Sequence, residues 1–307
     1  MLDKSEMLSH CLNRWNISDE RTQYFEENFD EWLSQLPEDI QEITLQLLEL
    51  FEYFPQEKVN NYLYDLRFKL EAKAKLDPDE TIYTPLPSIK GISNSSGDYL
   101  YTYRQLHNIS KFKIVLDLKT YITSEPEKYK KVANIVIVDD YCGSGESLKT
   151  FVDLHADCLQ GKHIYYVITY LMLESLPLID NISKEHDVAI DVIYINTGTK
   201  AFSNDKFSGK EDDLRALVKR ISKKLNIPHK YCLGKYKSES LVSFYNDTPN
   251  NTIGLFWHDS DKYFSIFPRE FENTEGLKRP TPKNLKSQKA ARNAQNYSSA
   301  RRKAQYE

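Results

Sequence analysis

Four consecutive apolar residues, Ile135, Val136, Ile137 and Val138, are followed directly by two acids and a loop of glycine and serine. An unbroken apolar run is typical of a central parallel strand, which is covered on both faces and cannot alternate apolar with polar side chains. After the loop, apolar positions recur at helical spacing over residues 148–159, and Gly161 can cap that helix. The segment therefore predicts a strand, a tight loop and a helix, the repeating unit of an α/β sheet.

The rest of the sequence extends this prediction from residue 81 onward. Short apolar runs alternate there with helical stretches, as in chains that build a parallel sheet with crossover helices. The predicted strands are 82–85, 112–118, 135–138, 164–170 and 188–196. A late segment, 252–267, is predicted to form a β-hairpin that turns at 259–261. We therefore expect an α/β fold, with a mainly parallel sheet flanked by helices and a late β-hairpin.

The two ends of the chain differ in composition. Apolar residues recur at helical spacing between Asp19 and Lys75, with Pro37 and Pro55 as breaks. Residues 274–307 carry nine basic and two acidic side chains and few apolar ones. The predicted organisation is an N-terminal helical region at 1–76, a main domain at 77–273 and a basic, disordered tail at 274–307.

Composition argues against several classes of protein. The charged residues, 28% of the chain, interrupt every apolar stretch well before the ~20 residues that a membrane span needs. The first six residues include the charged Asp3, Lys4 and Glu6 and lack the apolar core of a secretory signal. The four cysteines lie far apart without a C-x-x-C pair, which favours free thiols over disulfides or a zinc site. We expect a cytoplasmic protein that does not bind membranes.

The loop after the central strand has the composition of a phosphate site. It opens the predicted helix, and the first backbone N–H groups of a helix are unpaired and lie at the positive end of its dipole. Gly143 and Gly145 let the backbone come close to a phosphate, and the hydroxyls of Ser144 and Ser147 can donate further hydrogen bonds. We therefore expect this loop to hold an anion.

Two acids precede that loop. Asp139 and Asp140 end the strand, where they can accept hydrogen bonds from vicinal hydroxyls one sugar ring away from the phosphate. A P-loop is excluded because Leu148 stands where the motif G-x-x-x-x-G-K-[ST] needs its second glycine, and the dinucleotide motif G-x-G-x-x-G fails because Leu148 stands at its last glycine. Phosphate-binding groups beside two acids indicate a ribose 5-phosphate ligand.

Residues 135–147 resemble the signature of the type I phosphoribosyltransferases: four apolar residues, two acids, a hydrophobic residue, two variable residues, then Thr/Ser-Gly-x-Thr/Ser. The resemblance implies that fold, with a loop that binds the 5-phosphate of phosphoribosyl pyrophosphate. It implies that Asp139 and Asp140 are catalytic and hold the ribose 2- and 3-hydroxyls, and that Mg²⁺ binds with the diphosphate and without a direct protein ligand. The loop residues implied are Tyr141, Cys142, Gly143, Ser144, Gly145, Glu146 and Ser147.

Glu146 departs from the family pattern. Its position in the family loop is more often neutral or basic, and a carboxylate beside a phosphate repels it by ~1 kcal/mol or more near a surface. Alternatively, Glu146 points to solvent in the first helical turn, where the helix dipole favours an acid. The departure bears on catalysis more than on the fold.

Other segments could complete such a site. A candidate pyrophosphate loop consists of Ser93, Asn94, Ser95, Ser96 and Gly97. It precedes a helix predicted at 98–107 and could equally be a plain connection. Residues 119–134 could close over the leaving group or form a charged exposed helix. Phe202 and Phe256 could bind a base or, as is commoner for such aromatics, pack in the core.

More broadly, the chain resembles the phosphoribosyltransferase-like (PRTase-CE) family of bacterial conflict and antiviral defence systems, which includes retron-associated effectors. The likeness rests on the helical extension, on 91–97 ahead of the 135–147 motif, and on 250–257 with 267–269. It implies an effector that transfers a phosphoribosyl group to a base, a nucleotide or a nucleic acid. Two alternatives stay open. One is a non-catalytic sensor that binds a phosphoribosyl ligand or nucleotide. It would act through a defence-system protein or, via the basic tail, through a nucleic acid. The other is an interaction protein without a ligand.

Overall fold

A computed structural model describes residues 3–16, 18–87 and 95–269. Its helices are α1 Lys4–Trp15, α2 Glu20–Ser34, α3 Glu38–Leu50, α4 Gln56–Lys73, α5 Ser95–Leu106, α6 Leu118–Ser124, α7 Pro126–Lys131, α8 Glu146–Leu159, α9 Leu176–His186 and α10 Glu211–Lys224. Its strands are β1 Glu52–Phe54, β2 Thr81–Thr84, β3 Asn134–Cys142, β4 His163–Met172, β5 Ala189–Gly198 and β6 Val242–Phe244. None of the helices in these described ranges is long and apolar enough to cross a membrane.

The main sheet confirms the predicted α/β fold. Its four strands are parallel and run in the order β2-β3-β4-β5. Because parallel strands end at the same edge of a sheet, the loops that follow β3, β4 and β5 lie at one edge. A second, two-stranded parallel sheet joins β1 to β6 and thus connects the helical region to the late part of the chain.

The central strand β3 is covered on both faces, as its apolar run predicts. Ile135 and Ile137 pack in a core cluster with residues of α8 and α9. Val136 and Val138 pack in another cluster, with residues of α4 and α5. All four side chains are fully buried. Close packing on both sides holds the strand rigidly, and with it the residues at its carboxyl end.

Helices α1, α2 and α3 share a hydrophobic core with the chain after residue 200. Phe51 stacks on Phe267 with 4.8 Å between ring centroids. The Trp32 indole donates a hydrogen bond of 2.5 Å to the Tyr263 hydroxyl. The helical region therefore supports the late segment directly.

The strand predicted at 112–118 is wrong. These residues lie in a 3-10 helix at Lys111–Lys113 and at the start of α6, and Ile114 makes an isolated β-bridge to β2. The cause is local, because the Asp117 carboxylate accepts a hydrogen bond of 2.6 Å from the Thr120 backbone and caps α6. Burial along the run is uneven, since Phe112 and Leu116 are 81% and 72% exposed whereas Val115 and Leu118 pack in the core.

The late β-hairpin predicted at 252–267 is also wrong. The chain does reverse there, with the Ser260 N–H donating to the Tyr263 carbonyl at 2.8 Å. However, the segment forms a 3-10 helix at Gly254–Phe256 and no strand. In a hairpin with one face toward solvent, buried and exposed side chains alternate. Residues 252–257 are instead all buried, so the segment runs through the core.

Two alternatives left open by the sequence are resolved by packing. Phe202 and Phe256 are fully buried in the core, which confirms the packing role for both. Most of 119–134 forms α6 and α7, and the Tyr129 hydroxyl donates a hydrogen bond of 2.6 Å to the Cys158 carbonyl. That contact lies at the end of α8 away from the motif loop, which favours charged helices over a loop that closes on a ligand.

Candidate functional site

The carboxyl end of β3 holds both predicted acids. Side chains alternate between the two faces of the strand up to Asp139 and Asp140. The alternation then shifts by one residue. Regular alternation would place Tyr141 on the opposite face from Val138, but both side chains pack in the same cluster. The acids thus stand where the regular strand ends and the motif loop, residues 141–147, begins.

Both carboxylates are largely buried and already hydrogen-bonded within the protein. The Tyr166 hydroxyl donates to Oδ2 of Asp139 at 3.0 Å. The Ser95 hydroxyl donates to Oδ1 of Asp140 at 3.1 Å. The exposed fractions are 6% for Asp139 and 9% for Asp140. Each acid must therefore share or exchange a protein partner before it can hold a sugar hydroxyl.

The pKa values of both acids are raised. Burial raises the pKa of Asp139 well above its ordinary value, and the neighbouring Asp140 raises it further. Burial also raises the pKa of Asp140, although hydrogen bonds from Asp139 and Ser95 oppose the rise and the charge of Asp247 adds to it. Because two adjacent carboxylates resist ionising together, the pair retains a proton at pH values where an exposed aspartate is charged.

The motif loop leads into α8 through a glycine in a left-handed conformation. Gly145 is the N-cap residue, at a φ of +82°, which residues with a side chain rarely adopt. It offers no side-chain hydrogen bond to the helix. The Ser144 hydroxyl lies 3.5 Å from the Glu146 nitrogen, at the outer limit of a hydrogen bond. The first amides of α8 can therefore serve a bound anion.

A cavity of about 110 Å³ lies against this loop. The loop contributes every residue from 141 to 147 except Glu146, and the other lining residues are Leu148, Tyr166, Lys235, Tyr236, Asn250 and Asn251. Among these, Lys235 carries the only charged side chain. Hydroxyls, amides and one ammonium group, without a carboxylate in the lining, are the groups that bind an anion.

Three predicted site residues of the 139–147 segment lie outside this lining. Asp139 and Asp140 do not border the cavity, but Tyr166 does, and its hydroxyl is the donor to Asp139. Glu146 is half-buried at the first position of α8. The repulsion expected between Glu146 and a phosphate is therefore not built into the cavity wall.

The late segment supplies the other wall of the cavity, which sequence reasoning did not single out. A Cβ atom added to Gly143 would lie 2.5 Å from Cγ of Asn251, so the absence of a side chain allows this close approach. The Asn251 amide donates to the Lys235 carbonyl at 3.2 Å and to the Ser238 hydroxyl at 2.7 Å. The available signal was that Asn250 and Asn251 begin a run on which the family resemblance rests.

The candidate pyrophosphate loop is described only in part. Ser93 and Asn94 lie outside the described residues. Ser95 and Ser96 begin α5 and Gly97 follows in its first turn; the Ser96 hydroxyl donates to the Val138 carbonyl at 2.6 Å. This hydrogen bond ties the start of α5 to β3 immediately before the two acids. The role of this loop stays a prediction.

A direct protein site for a metal ion does not fit the described residues. They contain no group of three or more His, Cys, Asp or Glu side chains placed to hold one. Asp139 and Asp140 are only two such groups, and both accept hydrogen bonds from neighbouring hydroxyls. A divalent cation would therefore need oxygen ligands from the substrate.

Comparison with models of protein families identifies the family of the chain. A family model described as PRTase-CE matches residues 29–269, which is well over half of the chain. The chain belongs to the PRTase-CE family. The PRTase-CE match begins inside α2 and runs through the motif loop to the late segment, so it includes both walls of the cavity. The resemblance stated from the sequence is thereby confirmed. No curated protein matches the chain.

Proposed function

We propose that this PRTase-CE protein binds phosphoribosyl pyrophosphate or a related ribose 5-phosphate, with the 5-phosphate in the cavity beside the motif loop. One observation carries the proposal: the cavity lies at the N-terminus of α8, and among its described lining residues Lys235 has the only charge. Helix amides, serine hydroxyls and an ammonium group together give a phosphate several charge-assisted hydrogen bonds.

A buried hydroxyl supports the same assignment. Tyr141 lines the cavity, is 8% exposed, and makes no hydrogen bond of normal geometry through its hydroxyl among the described residues. Burial raises the pKa of Tyr141, and the nearby Ser240 hydroxyl offsets only part of that rise. An unpaired buried hydroxyl costs about 1–3 kcal/mol. A ligand oxygen would recover this free energy if its binding uncovered the Tyr141 hydroxyl, which the surrounding residues bury.

The reaction we propose is transfer of the phosphoribosyl group. The bond between the anomeric carbon and a diphosphate oxygen breaks, and its electron pair leaves with the diphosphate. A lone pair of a base, nucleotide or nucleic-acid acceptor forms the new bond, and the acceptor loses a proton to water. Asp139 and Asp140 would hold the ribose diol and stabilise positive charge on the ring. In this proposal, Mg²⁺ binds to the diphosphate of the substrate and has no direct protein ligand.

A second candidate function is a sensor that binds the same ligand without turnover. The observation that favours it concerns the two acids. The Tyr166 and Ser95 hydroxyls already donate hydrogen bonds to Asp139 and Asp140, and neither acid lines the cavity. A site that needed both carboxylates for catalysis would have to break or share these hydrogen bonds. A sensor needs only the phosphate contacts.

We further propose that the protein works in the cytoplasm, as an effector in a bacterial antiviral defence system such as a retron. The support is membership of the PRTase-CE family together with the sequence resemblance. Its target would be nucleotides, bases or nucleic acid. The basic tail at 274–307, which lies outside the described residues, would engage a nucleic acid or a protein partner of that system.

Two measurements on the full chain test these proposals. Diphosphate release from phosphoribosyl pyrophosphate and Mg²⁺ is followed with a panel of bases, nucleotides and oligonucleotides, and binding is followed by calorimetry. Release with one acceptor supports transfer, whereas binding without release on the panel supports the sensor. The double variant Asp139→Asn/Asp140→Asn is expected to abolish release if the protein is a transferase, and to leave binding largely intact if it is a sensor that relies on the phosphate contacts. A protein that works without a ligand would show no binding in either form.

A further inference from the structure

The segment 234–239, which we call the strap, has an unusual backbone where it meets the cavity. Gly234 has a φ of +74°, and three residues with side chains are also left-handed: Tyr236 at +58°, Lys237 at +56° and Glu239 at +50°. Each such residue costs about 1–3 kcal/mol and persists only where the surroundings hold it. An observed cluster of this kind beside a cavity points to a constrained, functional segment.

Contacts at both ends hold the strap in place. At its start, the Lys235 N–H donates to the Asn250 carbonyl at 2.8 Å, and the Asn251 amide donates to the Lys235 carbonyl at 3.2 Å. At its end, Glu239 is 2% exposed and pairs with the Arg215 guanidinium at 2.7 Å. The strap is therefore pre-organised rather than a loose connection, and its residues beside Gly234 face the cavity from a fixed backbone.

The two strap residues that line the cavity are Lys235 and Tyr236. The Lys235 ammonium nitrogen lies 4.8 Å from the centre of the Tyr236 ring. No carboxylate of the described residues forms an ion pair with Lys235. The ring is 55% exposed and provides a platform that keeps the ammonium group near the cavity without neutralising it.

We infer that the strap is the second half of the phosphate site, in which Lys235 pairs with the phosphate monoester of the ligand and Tyr236 positions Lys235. This inference rests on the proposed function and deepens it. The motif loop offers neutral donors. In the family pattern, the position of Glu146 is more often neutral or basic, and in this chain the strap supplies the positive charge instead. The ligand class is a sugar with a terminal phosphate, because a neutral sugar gains nothing from Lys235.

A matched lysine makes the test specific. Lys230 lies on the Tyr231 ring at 4.7 Å, in the same arrangement as Lys235 on Tyr236, but it does not line the cavity. Calorimetry with ribose 5-phosphate and with ribose is run on the full wild-type chain and on Lys235→Met, Lys235→Arg and Lys230→Met. Thermal unfolding of each variant checks that the chain remains folded.

We expect Lys235→Met to weaken ribose 5-phosphate binding about tenfold or more, since a charge-assisted hydrogen bond is lost. Lys235→Arg should keep most of the affinity, and Lys230→Met should bind as the wild type does. Equal affinity of Lys235→Met and wild type would overturn the inference and leave the proposed function standing. Failure of the folded wild type to bind ribose 5-phosphate would overturn both.

Discussion

The Tyr166 hydroxyl donates a hydrogen bond of 3.0 Å to Oδ2 of Asp139, and so joins a residue that lines the cavity to an acid that does not. Asp139 keeps little contact with solvent, so Tyr166 is one of the few groups that can offset its charge. A ligand that contacts Tyr166 would alter this hydrogen bond. The pair therefore couples the cavity to the acids at the end of β3.

Replacing Tyr166 with phenylalanine should destabilise the protein by about 1–3 kcal/mol, because a buried carboxylate loses its donor. It should also raise the pKa of Asp139 further and weaken ribose 5-phosphate binding. Urea unfolding and calorimetry measure the two effects. Tyr165→Phe is the control, since Tyr165 lies on the opposite face and contacts His163 at 3.3 Å. Equal losses of ligand affinity in the two variants would contradict the coupling.

Asp139→Asn should become progressively more stable than the wild type as the pH rises. The folded state raises the pKa of Asp139, so it holds a proton that the unfolded chain releases, and wild-type stability falls as the pH rises through the raised pKa. Asparagine does not ionise, so the variant avoids this loss, and its free energy of unfolding at neutral pH should exceed that of the wild type by about 1 kcal/mol or more.

The measurement is urea unfolding between pH 4.5 and 8. The control is Asp153→Asn, because the Lys149 ammonium lowers the pKa of that exposed carboxylate and the sign reverses. Asp153 stabilises the fold above its ordinary pKa, so its removal should give a small loss there. A wild type and Asp139→Asn with parallel pH curves would show that Asp139 ionises in the folded state like an exposed acid.

Gly145→Ala and Gly161→Ala separate helix geometry from ligand binding. Both glycines are left-handed, at φ values of +82° and +70°, and they lie at opposite ends of α8. Each alanine should cost about 1 kcal/mol or more in unfolding free energy. Gly145→Ala should in addition lose ribose 5-phosphate affinity, because it reorients the first amides of α8. Similar affinity in the two variants would argue against the helix N-terminus as the phosphate site.

Deletion of residues 278–307 should abolish salt-sensitive nucleic-acid binding, since it removes all nine basic residues of the tail. Fluorescence anisotropy of a labelled single-stranded oligonucleotide between 50 and 200 mM salt provides the measurement. A variant with the same tail composition in shuffled order should keep the binding. Undiminished binding by the deleted chain would refute this role for the tail.

The motif region could be predicted from sequence because its structure is local. The apolar run, the acids, the glycines and the helical spacing are contiguous, so β3, the loop and α8 follow from a short stretch of chain. The 112–118 run was misassigned because its apolar residues do not show by themselves that Phe112 and Leu116 stay exposed while Val115 and Leu118 are buried. Asp117 offered a helix cap there, and the cap was the stronger signal.

The second wall of the cavity could not be predicted because it depends on tertiary contacts. Lys235 and Asn251 reach the motif loop only through the packing of the late segment on the N-terminal helices and through the β1–β6 pairing. No spacing rule links Asn251 to Gly143, although their atoms meet in the folded chain. The burial of Asp139 and Asp140 likewise depends on Tyr166 and Ser95 from other elements.

The most direct test of the account is calorimetric titration of the wild-type chain with ribose 5-phosphate and, separately, with ribose. We predict saturable binding of the phosphate ester and no detectable binding of the neutral sugar over the same range. An absence of heat with ribose 5-phosphate up to millimolar concentrations would contradict a phosphate site at the motif loop.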